Sequence, residues 1–119
     1  MNIAIIGLGL IGGSIAKSIK RTTKHVVFGT DLSETAMLKA ELLRAIDARL
    51  TDEMLSECGV VIVALYPRDA VEYILKNRAK FGAGALVVDC SGVKRAVCEV
   101  VEKELAGEKF TFMGGHPMA

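Results

Sequence analysis

Three glycines carry the first chemical signal in this chain. Gly7-x-Gly9-x-x-Gly12 follows the apolar run Ile3–Ile6, and an apolar helical pattern starts directly behind it. In such a turn the first glycine lets the chain leave a strand tightly. The second lets a pyrophosphate approach the backbone, and the third allows close helix–sheet packing. Leu8, Leu10 and Ile11 supply the intervening backbone. Unpaired N–H groups and the positive end of the helix dipole then face the diphosphate. Asp31 lies nineteen residues past Gly12. An acidic side chain about 20 residues on can hold ribose hydroxyls there. Its charge opposes a 2′-phosphate, and no Lys or Arg follows at 32–34, so the pattern favours NAD over NADP. The alternative is that Asp31 helps to start the next helix.

A second group of candidates lies near the carboxyl end. The chain has two histidines. His25 begins a strand at the opposite edge and reads as a surface residue. His116 follows two glycines and precedes Pro117, which pushes it toward extended backbone. An imidazole at a strand end over a nicotinamide is placed as a general base for a substrate hydroxyl. The alternative is a turn histidine with a satisfied hydrogen bond. In Asp89-Cys-Ser-Gly-Val-Lys94, Lys94 could pair with a substrate carboxylate and Ser91 could hydrogen-bond cofactor or substrate. Alternatively Asp89 caps the next helix and Lys94 faces solvent. Cys90 reads as a small buried residue rather than a nucleophile. Leu65, Tyr66 and Pro67, at the end of another apolar run, complete the set around the cofactor.

Positioning these residues requires parallel strands whose carboxyl ends share one rim. Strands and helices alternate along the whole chain, which predicts an α/β, Rossmann-type doubly wound parallel sheet of about six strands with helices on both faces. Ligands bind such sheets beyond the strand ends, where strand order reverses. The first helix shows Ile11, Ile15 and Ile19 on one stripe. The second is expected over 33–45, with Ala36, Ala40 and Leu43 on one face. A short third strand falls within 45–50, and Thr51 caps a helix running to Cys58. Val60–Leu65 is a buried strand, and Pro67 opens the next helix, with a stripe at Val71, Ile74, Leu75 and Arg78. Ala85–Asp89 is the fifth strand. Val93, Val97, Val100, Val101 and Leu105 mark another helix, and Lys109–Met113 the sixth strand.

Bulk properties fit one domain: 119 residues, 51% hydrophobic, mean hydropathy +0.39 and formal net charge +1. A sheet buried on both faces accounts for much of the apolar content, and an unfilled docking surface could account for the rest. The near-neutral balance gives no reason to expect nucleic acid or an anionic membrane as partner. Three scattered cysteines, Cys58, Cys90 and Cys98, argue against a disulfide framework or a zinc site and suggest a reducing cytoplasm. The amino terminus enters a strand directly, so no signal peptide is expected. No apolar run approaches a membrane span.

Taken together, Gly-Leu-Gly-Leu-Ile-Gly-Gly-Ser at 7–14, Asp31, Asp89-x-x-Gly-Val-Lys94 and Gly-Gly-His-Pro-Met-Ala at 114–119 resemble the prephenate dehydrogenases and the related arogenate dehydrogenases. The resemblance implies NAD-dependent oxidative decarboxylation of prephenate to 4-hydroxyphenylpyruvate, on the route to tyrosine. It implies that His116 contacts the substrate hydroxyl and assists its deprotonation, and that Lys94 handles substrate. Many members carry Ser-Val-Lys where this chain has Gly92-Val93-Lys94. Gly92 cannot supply that hydroxyl, and Ser91 stands one position earlier. The family continues into a mostly helical domain that dimerises and adds substrate-binding groups. By that resemblance, residues 1–119 are the NAD-binding domain of a homodimeric enzyme, able to bind NAD but to turn over poorly alone. Rival readings are the cofactor domain of a 3-hydroxyacid dehydrogenase or imino-acid reductase, and a stand-alone NAD-binding module.

Overall fold

Strand β1 (Asn2–Ile6) buries side chains on both of its faces, and that divides the core in two. Ala4 and Ile6 join one apolar cluster, Ile3 and Ile5 the other. Side chains alternate across a strand, so a central strand of continuous apolar residues needs helices above and below it. The computed structural model of the chain describes residues 1–92 and 94–114. After β1 come α1 (Leu10–Thr22), β2 (Val26–Thr30), α2 (Glu34–Leu42), β3 (Ala48–Arg49) and α3 (Asp52–Leu55). Then follow β4 (Val60–Val63), α4 (Pro67–Lys76), β5 (Leu86–Asp89), α5 (Arg95–Glu104) and β6 (Thr111–Gly114).

The six strands form one parallel sheet in the order β3-β2-β1-β4-β5-β6. Strand order reverses between β1 and β4, so the turn after β1 opens at the point where such sheets bind ligands. Helices α1 and α2 pack Ala16, Met37 and Ala40 against Ile3, Ile5 and Val27. On the other face α3, α4 and α5 bring Leu55, Ala70, Ile74 and Val101 against Ala4, Val61, Val63 and Val87. Phe81 is fully buried there and meets Phe110 edge-on, with ring centroids 4.9 Å apart.

The architecture matches the sequence expectation, while several helix faces and boundaries differ. In α1 the buried residues are Gly12 and Ala16, and Ile15 and Ile19 pack partly. Ile11 is 57% exposed. Gly12 must face the turn, which rotates Ile11, one residue earlier, toward solvent. In α5 Cys98, Val101 and the adjoining Leu105 are buried, while Val97 is on the open side and Val100 is 67% exposed. Helix α2 stops at Leu42 because Arg44 adopts φ 56° and Ala45 N–H returns to the Ala40 carbonyl at 2.9 Å. That left-handed cap leaves Leu43 exposed. Thr51 caps α3 by accepting from Met54 N–H, but the helix ends at Leu55 rather than Cys58. Strand β3 is two residues long. Among the described residues no helix is long and apolar enough to cross a membrane.

Candidate functional site

The turn after β1 is held from three sides. Gly7 adopts φ +95°, and its N–H donates to the Thr30 carbonyl at 2.8 Å. A Cβ at Gly7 would collide with the Ala64 carbonyl on β4's carboxyl end, and one at Gly12 would collide with the Gly7 carbonyl. Gly9 is different: a Cβ there would meet nothing within 4 Å. So two glycines are filled in by the protein's own backbone, and one opens on free space.

Helix α1 begins at that open glycine. Its N-cap is Gly9, with no side-chain cap and no acidic residue in the first turn. By contrast, Ser33 caps α2 and Thr51 caps α3, each with acidic residues following. The first N–H groups of a helix have no partner within it. Those of α1 are therefore left for an external acceptor, with the dipole favouring an anion. The empty space over Gly9 and the missing cap fit a diphosphate.

Asp31, half-buried at the end of β2, ties this turn to the next helix. Its Oδ2 accepts from Leu8 N–H at 2.7 Å, and its Oδ1 accepts from Ser33 N–H at 2.8 Å. A carboxylate has about four acceptor positions, so each oxygen keeps capacity for a ribose hydroxyl. The alternative weighed from sequence, that Asp31 starts α2, is thus also partly realised, since it steadies the capping Ser33.

Among the described residues, clefts border the strand ends. One, of about 440 Å³, lies between α1 and α2 and is lined by Gly9, Leu10, Ser14, Lys17, Ser33 and Lys39 among others. A second, of about 360 Å³, runs from Gly7 and Asp31 past Leu32 and Leu65 to Asp69, Glu72, Tyr73 and Lys76 on α4. The third, of about 430 Å³, is lined by Pro67, Arg68, Val71, Gly92, Lys94 and Val97, where α4 and α5 begin.

Comparison with known proteins adds an independent finding. Residues 15–119 match the family model described as prephenate dehydrogenase, nucleotide-binding domain. The chain belongs to this family. It is 36% identical over 124 residues to the prephenate dehydrogenase of Bacillus subtilis (strain 168), covering 98% of this chain and 32% of that protein. The prephenate dehydrogenase of Lactococcus lactis subsp. cremoris (strain MG1363) is 33% identical over 120 residues, covering 98% and 34%. The chain thus spans about a third of the length of the curated relatives it matches. The crystal structure of the prephenate dehydrogenase from A. aeolicus, in complex with hydroxyphenyl propionate and NAD+, superposes with a TM-score of 0.84 at 29% identity. That match covers 99% of this chain and 42% of the other.

Within this prephenate dehydrogenase nucleotide-binding domain, the motif that opens α5 takes a definite shape. Asp89 is 1% exposed, and its Oδ1 accepts from both the N–H and the hydroxyl of Ser91. Its Oδ2 is buried with no hydrogen-bond partner among the described residues. Asp89 therefore closes a turn onto Ser91, and the N-cap of α5 is Lys94. The Ser91 hydroxyl proton is committed to Asp89, which leaves Ser91 as an acceptor. Gly92 sits at φ +77°, a conformation in which a serine would be strained. Lys94 is exposed and shares the third cleft with Arg68, a residue the sequence reading passed over. Burial first, then the Asp89 charge, raises the Cys90 thiol, in keeping with an inert residue. Tyr66 caps α4 without a side-chain bond and is largely exposed, and Pro67 occupies the first helical position. His25 lies just before β2, at the amino-terminal ends of the strands and away from the rim. His116 lies outside the described residues.

The sequence reading also missed Asp69, Glu72 and Tyr73 as cleft residues. A signal existed: with Pro67 at the first helical position and Ala70 and Ile74 buried, residues 69, 72, 73 and 76 must share the flank beside that stripe. Among the described residues no His, Cys, Asp or Glu cluster could hold a metal ion.

Proposed function

We propose that this chain is the NAD-binding part of a prephenate dehydrogenase, which converts prephenate to 4-hydroxyphenylpyruvate and carbon dioxide. The observation that carries the reading is the uncapped, acid-free start of α1 on a glycine with free space above it, beside Asp31. Family membership supports it. The first-turn N–H groups of α1, with Gly7–Gly12, hold the diphosphate. Asp31 accepts the adenosine ribose hydroxyls and rejects a 2′-phosphate by like charge. Leu65, Tyr66 and Pro67 border the nicotinamide half.

When bound, NAD supplies the hydride acceptor. His116 takes the hydroxyl proton as hydride leaves the ring carbon that bears it, and loss of carbon dioxide aromatises the ring. Lys94 pairs with a substrate carboxylate. Ser91, its own proton given to Asp89, accepts from a donor on cofactor or substrate. The partner is this small molecule rather than nucleic acid or membrane. The complete protein is a cytoplasmic homodimer joined through a domain outside residues 1–119.

Calorimetric titration of the chain with NAD and NADP tests the binding half. NAD is expected to bind at least about tenfold more tightly than NADP, and Asp31→Asn to narrow that ratio. No NAD binding, or equal affinity for both, overturns it. For the catalytic half, His116→Asn in the complete enzyme should abolish hydride transfer with NAD affinity kept. Undiminished turnover would remove His116 from the mechanism.

A further inference from the structure

Asp89 closes its turn with one carboxylate oxygen and leaves the other unused. Oδ1 accepts from the N–H and the hydroxyl of Ser91, while Oδ2 is buried and receives nothing from the described residues. A buried acceptor without a donor is costly, and the turn needs only one of the two oxygens. An asparagine would close it as well. The negative charge is thus more than the local structure requires. It also reaches beyond the turn: after burial, it helps to raise the thiols of Cys90 and of Cys98 on α5.

The sheet register fixes where that charge lies. Thr30, Ile6, Val63 and Asp89 stand level across β2, β1, β4 and β5. Asp31 therefore flanks the glycine turn on one side and Asp89 on the other, two strand spacings or about 10 Å from Ile6. With the adenosine ribose at Asp31 and the diphosphate over the turn, the nicotinamide half extends over β4 toward β5. Oxidised nicotinamide is a cationic ring and its reduced form is neutral, so a fixed charge nearby favours one form over the other. Arg68 and Lys94 act in the opposite sense. Both are exposed, and salt screens them more than a carboxylate that is 1% exposed. We infer that the buried carboxylate of Asp89 biases the site toward the oxidised cofactor, so that NAD+ is held more tightly, relative to NADH, than an uncharged residue would allow. This rests on the dinucleotide reading above and gives Asp89 a part in the choice of redox state. Accepting hydride neutralises the ring, so the same charge weakens the hold on the reduced product.

The test is calorimetric titration of the chain with NAD+ and with NADH, before and after Asp89→Asn, which keeps the shape and the acceptor for Ser91. The Kd of NADH divided by that of NAD+ should fall about fivefold or more in the variant. An unchanged or increased ratio overturns the inference while leaving dinucleotide binding intact. Where Asp89→Asn does not fold, Ser91→Ala decides instead. Losing the hydroxyl donor leaves the carboxylate less compensated, so the ratio should rise, and a ratio that stays level or falls overturns the inference. If neither form of the cofactor binds the unmodified chain, the dinucleotide reading falls and this inference with it.

Discussion

Gly9 and Gly12 stand three residues apart and carry opposite constraints. A methyl group at Gly12 would enter the Gly7 carbonyl, and one at Gly9 would enter empty space. Gly12→Ala should therefore cost stability, by about 3 kcal/mol or more, because backbone on both sides must move. Gly9→Ala should change stability by less than about 1 kcal/mol and weaken NAD by about tenfold or more, since the methyl occupies the space meant for phosphate. Thermal melts and NAD titrations on both variants separate the two effects. If Gly9→Ala binds NAD normally, the diphosphate does not lie over this turn. The glycine spacing was legible in sequence because each position answers a local steric demand. The Asp89–Ser91 contact was not, because a carboxylate two residues before a serine is equally compatible with a helix cap.

Helix faces depend on what the helix is pressed against. Val97, Val100 and Val101 all look alike in sequence, and the expected stripe included all three. The sheet takes only one side of α5, and Val101 lies on it while Val100 does not. Val101→Ala should cost about 2 kcal/mol through lost burial and the cavity left behind. Val100→Ser should stay within about 0.5 kcal/mol. Denaturant titration distinguishes them, and comparable losses would mean that the face of α5 is misassigned. The same reasoning explains Ile11 on α1, where the fit of Gly12 against Gly7 decides the rotation and overrides the hydrophobic pattern. Caps, by contrast, were readable: Thr51 on α3 and Pro67 on α4 act through bonds and φ angles within their own first turn.

At the scale of the molecule, two apolar layers and one reversal of strand order place Gly7–Gly12, Asp31, Leu65 and Ser91 on a single rim. The layer holding Phe81 also encloses much of Tyr73. Burial above all, then the charges of Asp52 and Cys58, pushes the Tyr73 phenol up to about 12 from its ordinary 10.0. The folded chain therefore keeps this proton after the unfolded chain has begun to lose it. The contribution is fully present below pH 10 and is lost as pH rises from about 10 to about 12. Stability measured by denaturant at pH 9 and pH 11.5 should fall more for the unmodified chain than for Tyr73→Phe. Equal falls would mean that the phenol titrates as if in water.

What the sequence determined by itself was the order of elements, the glycine turn, the acidic residue at the end of β2 and the caps. Each depends on residues adjacent along the chain or on a periodicity that survives any packing. Only the tertiary structure decided which side of α1 and α5 is buried, that Asp31 binds Leu8 N–H, that Ser91 is already engaged by Asp89, and that Asp69 and Glu72 share a cleft with Asp31. Apart from the Asp89–Ser91 turn, where local sequence leaves two arrangements open, those facts depend on distances between different elements, and such distances exist only once the strands have paired and the helices have come to rest on the sheet.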